Sequence, residues 1–69
     1  MEYTKEELTE AARQLDSTLH KLHAVIATLE AREQPERYRS QITLAKRRVK
    51  AFEIANGLIA EKLNAEEKP

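Results

Sequence analysis

At 69 residues the chain holds one small domain, and a chain of this size buries only about 60% of its unfolded surface, which leaves a hydrophobic core alone marginal. It contains no cysteine, which excludes disulfides and thiolate metal sites, and no stretch approaches the ~20 apolar residues of a membrane span. Twelve Lys and Arg balance twelve Asp and Glu, which argues against a protein whose affinity rests on phosphate contacts.

Charged residues at 35%, a single glycine and a surplus of Ala, Leu, Glu, Lys and Arg favour helix throughout. The first helix announces its start at "YTKEEL". Thr4 and Glu7 stand at capping-box spacing, each side chain able to satisfy a backbone donor at the other's position, and Tyr3 and Leu8 are placed for a hydrophobic staple. From there Leu8, Ala12, Leu15, Leu19, Leu22, Ile26 and Leu29 follow at alternating spacings of four and three, an uninterrupted heptad seam. The pattern predicts a first helix over about residues 5–32.

A turn is expected over about residues 33–35, because Pro35 pushes Gln34 out of the helical region and itself suits a first helical position, having no N–H to leave unpaired. The second helix is predicted over about residues 35–64, followed by a frayed acidic tail at 65–69. Its seam is Tyr38, Ile42, Ala45, Val49, Phe52, Asn56, Ile59 and Leu63, again at spacings of four and three. Nine residues separate Leu29 from Tyr38, so the two seams are out of phase, and one long helix kinked at Pro35 would not keep a single buried stripe. The expected fold is therefore all-α: a single domain, residues 1–69, forming an antiparallel αα-hairpin of two long helices. Asn56 is the one polar member of the second seam and is expected opposite Ala12, where it would fix register. The pair Asn56-Gly57 is alternatively read as a local break or kink, and a ligand contact at Asn56 is the third reading.

Leu44, Ala51, Ala55 and Leu58 widen the apolar arc of the second helix to about 200°, more than a two-helix seam covers. Ala11, Thr18 and Val25 broaden one side of the first seam. A homodimer is expected, with two hairpins packed face to face as a four-helix bundle across Leu44, Ala51, Ala55, Leu58 and Val25. Arg37, Arg48 and Lys62 would rim that interface, near Glu7 or Glu10 of the other copy if the subunits run antiparallel.

The run "KRRVK" does not form one patch: Val49 turns into the seam, while Lys46, Arg47 and Lys50 turn outward near Arg39. A solvated face is the ordinary reading. The alternative is a nucleic-acid or acidic-partner surface made by Arg39, Lys46, Arg47 and Lys50, although no aromatic is interleaved for stacking and no helix-turn-helix spacing accompanies it. Asp16, His20 and His23 are residue types that bind divalent metals, but a fourth ligand is missing, and an Asp16–His20 surface pair is the ordinary reading. Ser17 beside them lacks the geometry of a catalytic triad, and there is no glycine-rich phosphate loop or Cys nucleophile. No catalytic, metal or cofactor site is expected. The sequence points to a non-enzymatic helical protein acting by protein–protein interaction or scaffolding, with a second copy of itself as the expected partner, a further protein as an additional one, and no membrane; the alternative is a nucleic-acid-associated accessory protein. The lack of cysteine and the acidic opening "MEYTKEELTE", which is no signal peptide, suggest a soluble, cytoplasmic setting.

Overall fold

The first helix begins where its side chains can replace missing backbone partners. The Thr4 hydroxyl accepts a hydrogen bond from the Glu7 N–H at 3.1 Å, and the Glu7 carboxylate accepts one from the Thr4 N–H at 2.9 Å, completing the capping box. The computed structural model describes residues 2–67, the final two by their backbone alone. Helix α1 spans Lys5–Glu30, a single 3₁₀ turn spans Pro35–Tyr38, and helix α2 spans Arg39–Glu67.

Helix α1 stops two residues before the expected end. The Ala31 N–H still reaches the Ala27 carbonyl at 3.1 Å, but the Arg32 N–H bonds the Leu29 carbonyl at 3.3 Å, a tighter three-residue step. Gln34, held outside the helical region at φ −126° and ψ 72° ahead of Pro35, then takes the chain out of the helix. The second helix opens as a 3₁₀ turn, with the Arg37 N–H on the Gln34 carbonyl at 3.0 Å, before relaxing into α2. Helix α2 runs past the expected end at residue 64: residues 65–67, read as frayed tail, are helical, as Ala and Glu allow, and the last two tail residues lie outside the described residues. It is also continuous through Asn56 and Gly57, which removes the reading of a break there.

The chain reverses at the turn, so the helices pack antiparallel in a rod 54 Å long and 18 by 16 Å across. Leu8, Leu29, Ala45 and Val49 are buried in the seam, and the other seam residues, including Leu15, Leu19, Ile42 and Phe52, are half-buried. Among the described residues no side chain is fully sequestered. Asn56, expected to meet only Ala12, reaches one turn further along α1 and donates from Nδ2 to Oδ1 of Asp16 at 2.7 Å. This bond joins residues forty apart in sequence and ties the register of α2 to α1. No helix among the described residues is long and apolar enough to cross a membrane.

Two stability effects are expected. A Cβ built on Gly57 meets nothing within 4 Å, so Gly57→Ala removes backbone freedom from the unfolded chain at no steric cost. It should stabilise by about 0.5–1 kcal/mol and raise the melting temperature by several degrees, read by circular dichroism. A double-mutant cycle of Asp16→Ala and Asn56→Ala in urea should give a coupling of about 0.5–1.5 kcal/mol; additive losses would mean the bond contributes nothing.

Candidate functional site

Which side of the hairpin a residue occupies follows from its place beside the seam. In an antiparallel pair, residues that directly follow a seam residue lie on one side and residues that directly precede one lie on the other. Two contacts anchor these sides. Lys46 and Glu30, which follow Ala45 and Leu29, form an ion pair across the helices, Nζ to Oε2 3.1 Å. Glu7 and Ala11, which precede Leu8 and Ala12, line an open hollow of about 370 Å³ with Tyr3, Leu8 and Ile59.

The first side is the polar one. Arg39 and Lys50, following Tyr38 and Val49, join Lys46 there, but Arg47 lies on the outer back of α2, two residues from the seam in either direction. The four cations singled out in the sequence span about 100° of α2 with Arg47 at the outer edge, and Lys46 already faces a carboxylate. Asp16, His20 and His23 also follow seam residues and share this side, yet among the described residues no three His, Asp or Glu converge to hold a metal ion. Asp16 instead serves Asn56. That partnership was missed in the sequence because Asp16 sits on the seam's flank; its position one turn beyond Ala12 is the signal that would have found it.

The second side is apolar. Leu44, Ala51 and Leu58 precede Ala45, Phe52 and Ile59, and Val25 precedes Ile26. Leu58 remains 61% exposed, Leu44 and Val25 each 47%, and Ala51 is exposed as well. Ala55, expected in the same open arc, is half-buried because it sits closer to α1. Ile54 was not singled out in the sequence, yet it is 54% exposed beside this arc, and its spacing of three from Ala51 and four from Leu58 carries the signal. Arg37, Arg48 and Lys62 also precede seam residues and rim this side. At the turn Arg32 stacks on Tyr38, its guanidinium carbon 5.1 Å from the ring centroid and its Nη1 3.4 Å from the hydroxyl.

The hollows at the turn, beside Ile42 and near Tyr3 are open surface depressions. What the arrangement offers chemically is surface: one polar side and one apolar side on a rigid rod. The Lys46–Glu30 pair is half-exposed on both partners, so Lys46→Ala or Glu30→Ala should each change stability by less than about 1 kcal/mol in urea unfolding. No protein-family model, no curated protein and no solved structure matches the chain.

Proposed function

We propose that this chain is a non-enzymatic interaction module that works as a homodimer, two hairpins joined through their apolar sides into a four-helix bundle. The observation that carries the reading is the run of Val25, Leu44 and Leu58, 47%, 47% and 61% exposed, beside a seam that sequesters nothing completely. Apolar side chains at a fixed side of a rod and at helical spacing form a continuous patch, and patches of this kind mark contact surfaces. The side measures 54 Å by 18 Å, enough for the ~800 Å² per partner that stable interfaces bury. A second copy supplies a matching face at no further chain length, and C2 is the common symmetry for a self-complementary surface. Scaffolding or capture of another protein then falls to the outward surfaces of the bundle.

The nucleic-acid reading draws support from Arg39, Arg47 and Lys50, exposed within about 100° of α2, and is weakened by the Glu30 carboxylate beside Lys46.

The tests separate the two. Sedimentation equilibrium at micromolar concentration should give a dimer, and the melting temperature should rise with protein concentration. Leu44→Glu with Leu58→Glu should dissociate and largely unfold the protein, whereas Arg47→Glu with Lys50→Glu should leave the assembly intact. A folded monomer with a concentration-independent melting temperature would overturn the dimer. Oligonucleotide titration at low and moderate salt should show only weak nonspecific association; micromolar, salt-dependent binding lost in the Arg47→Glu, Lys50→Glu protein would favour the nucleic-acid reading.

A further inference from the structure

We infer that the two copies pack antiparallel, about a two-fold axis that lies across the helices and passes through Thr18 on α1 and Ala51 on α2. This rests on the dimer reading above and adds the partner's orientation and the residues that meet.

The apolar side of α2 is a second seam. Leu44, Arg48, Ala51, Ala55 and Leu58 follow at spacings of four, three, four and three, one residue ahead of the first seam throughout. This second seam is matched to itself in reverse. Turned end for end about Ala51, Leu44 meets the second copy's Leu58, Arg48 lays its aliphatic stem over the small Ala55, and Ala51 meets Ala51 where the helices come closest.

On α1 the corresponding stripe is Ala11, Thr18 and Val25, seven residues apart, with Thr18 at its middle. The two midpoints stand at one height in the rod. Ile59 closes the hollow with Ala11, and seven residues inward from Ala11 is Thr18 while eight inward from Ile59 is Ala51. One axis therefore serves both stripes. It also sets Val25, half-exposed, over the second copy's Ala11 and the hollow of about 370 Å³ that Ala11 shares with Tyr3, Leu8 and Ile59.

Charge selects the same orientation. The half of the apolar side nearer the turn is rimmed by Lys21, Arg37 and Arg48, which precede Leu22, Tyr38 and Val49. The half nearer the chain ends holds Glu7 and Lys62, which precede Leu8 and Leu63. An antiparallel pair lays the basic half of each copy over this charge-balanced half of the other, so that the two basic halves stay apart. A parallel pair, with α1 on α2, lays the half holding Lys21, Arg37 and Arg48 in each copy over the same half of the other, and like charges so placed oppose association.

The absence of cysteine from the chain makes the arrangement directly readable. Thr18→Cys and Ala51→Cys, made singly, should each form disulfide-linked dimers under mild oxidation, because a residue on the axis meets its own mate. Ala11→Cys and Val25→Cys should crosslink poorly alone and efficiently when mixed. The arrangement is overturned if sedimentation gives a dimer while Thr18→Cys and Ala51→Cys crosslink only when mixed with each other, the signature of parallel packing in which α1 lies on α2. A monomer in sedimentation would instead remove the dimer reading on which the arrangement rests.

Discussion

Two helices lying side by side share one line of contact, and every other feature of this structure is a response to that limit. A neighbour on one side covers one stripe of each cylinder, so the seam residues of the middle of the rod, Leu15, Leu19, Leu22, Ile26 and Phe52, are half-buried rather than enclosed. Among the described residues, full burial is approached only at Leu8, Leu29, Ala45 and Val49. With no cysteine, the chain has no covalent means of making up the difference. The apolar residues outside the seam, Leu44 and Leu58 above all, lie on the side where another layer of helices can close the structure.

Polar groups within the contact line do a different job from the apolar ones. A seam made only of leucine, isoleucine and alanine at heptad spacing tolerates slippage by whole heptads, since each shifted arrangement still buries apolar surface. The Asn56–Asp16 bond is available in one alignment alone, and so discriminates between alignments that burial treats as near equals. The Lys46–Glu30 pair near the turn adds a weaker preference of the same kind. Both lie on the polar side or point toward it.

That division of labour bears on what the basic run "KRRVK" means. Its five residues go to different places: Lys46 to Glu30, Arg47 to the outer back, Arg48 to the rim of the apolar side, Val49 to the seam and Lys50 to the polar side. A cluster dense in sequence is dispersed in space because successive helical residues step about 100° apart. The run contributes only a rim residue to the apolar side, and the functional proposal rests on that side.

The helix start at Thr4, the two heptad seams and the reversal before Pro35 were legible from residues alone, because capping, periodicity and the restriction that proline places on its predecessor are local effects, complete within a few residues. The ends of the helices were less legible: whether α1 stops at Glu30 and α2 continues to Glu67 depends on small competing preferences that no strong signal such as a C-terminal glycine decides. The wide arc of α2 was also visible in the spacing of Leu44, Ala51 and Leu58. Only the tertiary structure decided that Ala55 is half-buried while Ala51 stays open, that Asn56 takes Asp16 as its partner, and that Lys46 is matched by Glu30. Each of these is set by the height and rotation at which one helix meets the other, and that offset is a property of the packed pair, which no single stretch of sequence contains.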